Sequence, residues 1–481
     1  MAFLDELEQT TNVTLTENGA TTNRSTLNPV LDFFSRAGAM RKDPDGALTL
    51  FKAAYAYDKI LAIKALFYLR DVRGGQGERL VFRNCIGWVF NKTIQSITLA
   101  QLIPEYGRWD DLLKLRWPHH NAVLPIVKSQ LETDEEAMAA GKPVSMLAKW
   151  LPSENASSAD STKEARTLAE AMGMKPRQYR KRVSALRAYI KPLEHKMSAN
   201  QWSEIEYDKL PGQAFRKHTK AFTRHDAARF TEFITKAEKG EAKINAGTLY
   251  TYEIYEHALA GEAAADAMWA NLPDYTQGKP ALVMADVSGS MEGRPMAVSV
   301  SLALYFAQRN QGAFNGYYMT FTNRPSLVHI PEGVNLTTLL QFIEYHDVGY
   351  NTNLEAAFDA ILAAAIKSNT LQSELPQTLY IISDMEFDSQ MDGCDETNFE
   401  TAKRKFTDAG YMLPHVVFWN VDARNSQSPA TIRDGDVTLI SGLSPSVFKL
   451  ALEGKTPLES MLEVLNAPRY DPVEAALKMA I

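Results

Sequence analysis

The apolar run Ala281-Leu282-Val283-Met284-Ala285 ends in Asp286-Val287-Ser288-Gly289-Ser290. Five apolar residues without polar alternation read as a strand buried on both faces. Such strands belong to parallel sheets with helices on each side. A polar loop at the carboxyl end of that strand lies where open α/β sheets bind ligands. Val287 and Gly289 alternate with Asp286, Ser288 and Ser290, which turns three oxygen-bearing side chains toward one point. One carboxylate and two hydroxyls suit a small hard cation. Taken alone, the loop reads equally well as a helix cap.

Two later segments sharpen the reading. Thr378-Leu379-Tyr380-Ile381-Ile382-Ser383 is a second buried strand, and Asp384 ends it. Between the two strands, Gly349-Tyr350-Asn351-Thr352-Asn353-Leu354 precedes a helical stretch from Glu355 to Lys367. In this order the three pieces resemble the metal-ion-dependent adhesion site of a von Willebrand factor A domain. The resemblance implies one divalent site made of Asp286, Ser288, Ser290, Thr352 and Asp384, with a position kept for water or a partner's carboxylate. Mg²⁺ or another hard divalent cation is expected over Zn²⁺, because all the donors are oxygen. The sequence departs from the family twice. An extra residue beside Thr352 makes Asn351 and Asn353 its rivals. Met385 follows Asp384 where the family has glycine, and Asp388 could compete with Asp384.

The 481 residues suggest two or three domains. No apolar run is long enough for a membrane span, and the polar start from Met1 to Arg24 gives no secretory signal. Cys85 and Cys394 are far apart, so a reducing cytoplasm is the expected setting. Residues 1–26 read as a flexible N-terminal segment. Residues 27–277 read as helical, with stretches at Ala47 to Leu69, Glu78 to Asn91, Arg177 to Ile190 and Thr248 to Ala260 among others. Their spacing suits an α-helical repeat, HEAT-like and possibly ring-forming, with a compact bundle as the plainer alternative. Residues 278–481 alternate strand and helix and read as a doubly wound α/β domain. Strands are expected at Ala281–Ala285, Gly316–Phe321, Thr378–Ser383, Pro414–Val421 and Val437–Ser441, with a helical close from Ser444 to Ala480. Asp274 to Pro280 reads as the linker.

Charge is unevenly spread. The chain is −7 overall, with 24 acidic and 14 basic residues after Gly278, yet Lys175 to Arg229 carries 14 Lys and Arg against 5 Asp and Glu. An acidic half beside a basic segment suggests a polyanion contact on the first half. Arg177, Arg180, Lys181, Arg182, Arg187, Lys191, Arg216, Lys217 and Lys220 are the candidate RNA contacts. Tyr179, Tyr189, Trp202 and Phe215 interleave as stacking platforms would. The competing reading is a solvated helix face with its aromatics in the core.

Arg73-Gly74-Gly75-Gln76-Gly77-Glu78-Arg79 lacks the Gly-Lys-Ser/Thr end of a phosphate loop and follows a helix. A tight interhelical turn with glycines at positive φ is favoured. Arg70, Arg73 and Arg79 could touch phosphate or pair with Asp71 and Glu78. Together with Tyr106-Gly107-Arg108-Trp109-Asp110-Asp111-Leu112, Lys149 to Asn155 and Tyr179-Arg180-Lys181-Arg182, these segments resemble a family known as a domain of unknown function, 2828-like. That family is similar in architecture to the Ro autoantigen proteins with their TROVE module. The resemblance implies a helical ring that binds noncoding or single-stranded RNA, closed by a metal-site domain that recruits an acidic protein ligand. The alternative is a protein-only adaptor working with a AAA+ ATPase or another partner through the metal site. No acid and base pair argues for an enzyme. The oligomeric state is open, with a monomer preferred.

Overall fold

The computed structural model describes every residue except 1, 93–95, 116–119, 277–279, 321–323, 344–351, 390–395, 446–447, 449–454 and 479–481. Helices make up nearly all the regular structure from Pro29 to Ala270. The expected run from Ala47 to Leu69 is two helices, Pro44–Tyr57 and Lys59–Arg70. Asp58 breaks it. Its backbone is extended, and its carboxylate accepts Leu61 N–H at 2.9 Å, which caps the second helix. The longest helix, His120–Ala139, was not anticipated, because Pro125 and the acidic residues 132–136 obscure its apolar period. Ser158 caps Ala159–Ala171 through Ser161 N–H.

The second half holds a six-stranded sheet, and a two-stranded hairpin precedes the helices. In chain order the strands are β1 (Val13–Leu15), β2 (Thr21–Asn23), β3 (Ala281–Ala285), β4 (Tyr317–Thr320), β5 (Ser326–His329), β6 (Thr378–Ser383), β7 (His415–Asn420) and β8 (Val437–Ser441). The sheet order is β5-β4-β3-β6-β7-β8, parallel except for the edge strand β5. β5 escaped the sequence reading because only Val328 of its four residues is buried. The chain builds outward from β3 toward β5, then returns to lay β6, β7 and β8 on the other side. The β3/β6 boundary is therefore the topological switch point.

Alternate residues of the central strands enter two different cores. Val283, Tyr380, Ile382, Val417 and Trp419 face one way. Leu282, Met284, Leu379, Ile381, Val416 and Phe418 face the other. The helices Leu354–Ser368 and Asn398–Asp408 cover the second face. The first face is covered by Arg294–Arg309, and residues of 193–272 from the helical half, including Phe215, Ile254 and Trp269, extend the same core. Thr251–Leu259 packs directly on Arg294–Arg309, where Ser301 Oγ donates to Thr251 Oγ1 at 3.0 Å.

The other end of the helical half also returns to the sheet. Pro29–Arg36 packs on β8, and Gly38 N–H donates to Ser441 Oγ at 3.1 Å. The described start of the expected linker is packed as well, since Tyr275 N–H donates to Tyr305 Oη at 2.8 Å. The closing segment, with the helices Pro457–Leu465, which still touches β8, and Asp471–Lys478, completes the core of residues 30–186 with Met461, Leu465, Tyr470, Val473 and Leu477. The first 26 residues, expected to be flexible, form the helix Ala2–Asn12 and the β1–β2 hairpin. The hairpin docks on the second half, exchanging Asn23 N–H to Ser428 O at 3.1 Å and Ser428 N–H to Asn23 O at 2.8 Å.

The motifs of the helical half are structural joints. Arg70 is buried and donates through Nε and Nη2 to Asp111 Oδ2 at 2.9 and 2.7 Å. Arg83 reaches the other oxygen of Asp111 at 2.7 Å. Asp71 accepts Arg469 Nη2 at 2.8 Å and Tyr470 Oη at 3.2 Å, tying the chain's end to this turn. Glu78 holds Arg41, and Arg73 pairs with Glu105 at 3.1 Å. Of the loop's glycines only Gly77 has positive φ, at 69°. Gly75 is required for space, because a Cβ there would strike the carbonyl oxygen of Tyr68.

Asp71→Ala should therefore lower the unfolding free energy by about 2–3 kcal/mol, because Arg469 and Tyr470 lose a buried acceptor. Glu105→Ala removes only exposed pairs and should stay within about 0.5 kcal/mol of the parent. Urea unfolding of both variants checks this, and equal effects would show that Asp71 is no joint.

Candidate metal centre and nucleic-acid interface

The β3 loop builds its half of the site by local hydrogen bonding. Ser288 N–H donates to Asp286 Oδ1 at 2.9 Å, and the hydroxyls of Ser288 and Ser290 lie 3.0 Å apart. Gly289–Met291 is a 3₁₀ turn, and Gly293 at φ 86° leads into Arg294–Arg309. Asp286 and Ser288 are buried, and Ser290 is exposed.

The β6 loop supplies the other half. Because β3 and β6 are hydrogen-bonded neighbours in register, their carboxyl ends deliver Asp286 and Asp384 to one place. Ser383 Oγ donates to Asp286 Oδ2 at 2.6 Å. Asp384 is buried, accepts Glu386 N–H at 3.1 Å on Oδ1 and holds Arg424 on Oδ2. Met385 has φ 68°, the left-handed backbone that favours glycine. A side chain there carries strain of about 1–2 kcal/mol, which its burial with Phe387 offsets.

Asp286 is the electrostatic oddity. Burial first, and then the nearby Asp384 charge, push its carboxyl up to about 6 against the bonds from Ser383 and Ser288. Among the described residues no lysine or arginine pairs with Asp286.

Thr352 is buried, and Asn353 caps Leu354–Ser368 through Ala356 N–H at 2.8 Å. Asn351, the other rival, lies outside the described residues. Asp388 accepts Thr352 N–H at 2.9 Å, and its own N–H donates to Thr352 O at 3.0 Å. Asp388 thus clamps the threonine segment to the β6 loop. The sequence reading missed Ser383, Glu386 and Arg424. Ser383 was visible as the last residue of its strand. Arg424 lies 40 positions from Asp384, and no local pattern links the two.

The basic candidates separate into two groups. Arg182 grips Glu135 with bonds of 2.5 and 2.7 Å, and Arg180 pairs with Glu154 at 3.2 Å. Arg187 donates from Nε to the Ala148 carbonyl at 2.8 Å and also binds Ser153 and Leu151. Arg216 pairs with Glu253 at 2.9 Å and Lys220 with Glu262 at 2.8 Å. Arg177, Lys181, Lys191 and Lys217 are exposed and join none of the ion pairs among the described residues. Arg177, Lys181, Ser184, Ala188 and Lys191 follow 3–4 spacing, form one stripe of Pro176–Ile190 and its exit, and are all exposed. The expected stacking platforms divide similarly. Tyr179 and Phe215 are core residues, Trp202 stacks on His225 at 4.4 Å, and Tyr189 is exposed.

A helical half whose two ends rest on an α/β domain, with paired aspartates at the sheet's switch point, defines a two-part protein. The chain belongs to the family described as Domain of unknown function (DUF2828), whose model matches residues 16–103 and 119–279. A second model, Domain of unknown function (DUF7788), matches residues 280–474. An uncharacterized protein of Acanthamoeba polyphaga mimivirus is 30% identical, across 96% of this chain and 89% of that protein. Among solved structures, the Ro (RSR) protein of Deinococcus radiodurans matches 88% of this chain and 93% of its own, at 14% identity and a TM-score of 0.41.

The raised Asp286 carboxyl makes a pH prediction. Unfolding returns it from about 6 to its ordinary 3.8, so between these values the folded chain holds a proton that the unfolded chain has released. This stabilisation is complete below the lower value and is lost as pH rises through the higher one. In the presence of EDTA, the parent should lose up to about 3 kcal/mol relative to Asp286→Asn between pH 4 and 7. A stability gap that does not move with pH would contradict the assignment.

Proposed function

We propose that this chain is an RNA-binding scaffold whose α/β domain carries a von Willebrand factor A-like metal site for a protein partner. The observation that carries the RNA reading is the exposed stripe Arg177, Lys181 and Lys191, with Lys217 nearby in sequence on another helix. At about 1.5 Å per residue, Arg177 and Lys181 stand about 6 Å apart along the helix and Lys191 about 15 Å further on, so the charge runs along one edge. Binding of this kind is electrostatic and works by counterion release. Arg182, Arg187 and Arg216 support the fold of this region, so their part is to hold the surface in place. Noncoding or single-stranded RNA is the ligand class. No catalytic role is assigned, and no helix among the described residues is long and apolar enough to cross a membrane.

The metal reading is supported by a buried carboxylate without a cationic partner, beside a second carboxylate and two hydroxyls. Asp286, Ser288 and Ser290 would hold a hard divalent ion, Mg²⁺ above all, with Asp384 and Thr352 completing the set. A bound ion would supply a Lewis-acidic position for a partner's carboxylate. The exposure of Ser290 leaves an approach to that position.

The test separates surface from scaffold. Arg177→Glu, Lys181→Glu and Lys191→Glu combined should keep the parent's unfolding midpoint but weaken single-stranded RNA binding. The log–log salt slope should flatten by about 2, roughly 0.7 per lost contact. Arg182→Glu should destabilise the protein instead, because it places two carboxylates together. Asp286→Ala should leave RNA affinity within about twofold, since it lies in the acidic half. Unchanged RNA binding by the triple variant would remove the stripe from the site. Failure of the parent to bind RNA would favour the protein-only adaptor.

A further inference from the structure

The two aspartates of the candidate metal centre are unequal. Asp286 has no cationic partner among the described residues, whereas Asp384 holds the Arg424 guanidinium through Nη2. The other end of that guanidinium, Nη1, lies 3.4 Å from Glu17 Oε2. Glu17 belongs to the turn of the β1–β2 hairpin, which is fixed against the β6 loop on three sides. Thr16 Oγ1 donates to the Phe387 carbonyl at 2.6 Å, Glu17 N–H to Glu386 Oε2 at 2.7 Å and Asn18 Nδ2 to the Glu386 carbonyl at 2.7 Å. Glu386 is itself buried and accepts Asn425 Nδ2 at 3.0 Å, one residue beyond Arg424. The N-terminal hairpin is thus built into the wall of the site, with its carboxylate aimed at the site's only resident cation among the described residues.

We propose that Arg424 is a built-in cation that neutralises Asp384 in competition with a divalent ion, and that Glu17 moderates this competition by drawing the guanidinium toward the hairpin. This rests on the metal reading above and adds its regulation. A guanidinium and a divalent ion drawn to one buried carboxylate repel each other, and burial strengthens that repulsion. Arg424 is one-third exposed and Glu17 more than half exposed, so the side chain has room to move toward Glu17 without crossing the core. Anything that lifts the hairpin, a partner or cleavage among the first residues, would then remove the pull of Glu17, hold Arg424 more firmly on Asp384 and weaken ion binding at the site.

Mg²⁺ titration of the full chain by calorimetry tests this with no activity assay. Arg424→Gln should bind Mg²⁺ about tenfold tighter or more, because a positive charge next to the ion is gone. Arg424→Lys keeps the charge and should stay close to the parent. Glu17→Gln should weaken binding about 1.5- to 5-fold, the size of an exposed ion pair, and this loss should shrink toward nothing when Arg424→Gln is also present. Binding by Arg424→Gln without binding by the parent would support the same conclusion more strongly. If Arg424→Gln binds more weakly than the parent or equally well, Arg424 merely holds Asp384 in place and the competition is overturned while the metal site stands. If neither binds Mg²⁺, the metal reading fails and this inference fails with it.

Discussion

A sheet buried on both faces needs two covers, and the α/β half completes only one by itself. The helices Leu354–Ser368 and Asn398–Asp408 close one face. On the other, Pro29–Arg36 of the helical half packs on β8, and Thr251–Leu259 covers Arg294–Arg309, with Phe215, Ile254, Met268 and Trp269 in the same core. Burying such residues is worth about 1.5–3 kcal/mol each, so the two halves cannot part without exposing an apolar sheet face. The closing helices return the dependence, because Met461, Val473 and Leu477 fill the core of the first half. The chain is two parts in sequence and one body in its packing.

That packing fixes the candidate site. Register between β3 and β6 sets Asp286 beside Asp384, at the switch point of the sheet. Burial makes the pair costly, and the structure meets the cost asymmetrically, with Arg424 on one aspartate and only hydrogen bonds on the other. The hairpin, more than 350 residues away in sequence, braces the β6 loop through Thr16, Glu17 and Asn18. The candidate site and the N-terminal hairpin are consequently one packed unit.

The basic segment shows why charge counts alone are a poor guide to a binding surface. Arg180, Arg182 and Arg187 stand beside Lys181 in sequence, yet each turns toward the helix Glu135 belongs to or the loop 148–155, where it satisfies carboxylates and carbonyls. Arginine's planar fork suits such multiple bonds, whereas the lysines stay solvated. Half of the apparent polyanion surface is therefore internal support, and the remainder is a narrower stripe.

The sequence by itself determined the α/β order, five of the six sheet strands and the loops ending in Asp286 and Asp384, because unbroken apolar runs followed by polar loops are local patterns. It also marked the helical character of the first half and the turn at Arg73–Arg79. It missed β5, whose residues are mostly exposed, and the helix His120–Ala139, whose period Pro125 interrupts. Only the tertiary structure decided that the first 26 residues are a docked hairpin and helix, that Asp71 and Asp111 are joints, and that Arg424 sits on Asp384. Those outcomes depend on pairs separated by 40 to nearly 400 positions. A buried charge takes whatever partner the packing brings within reach, and local sequence does not encode that distance.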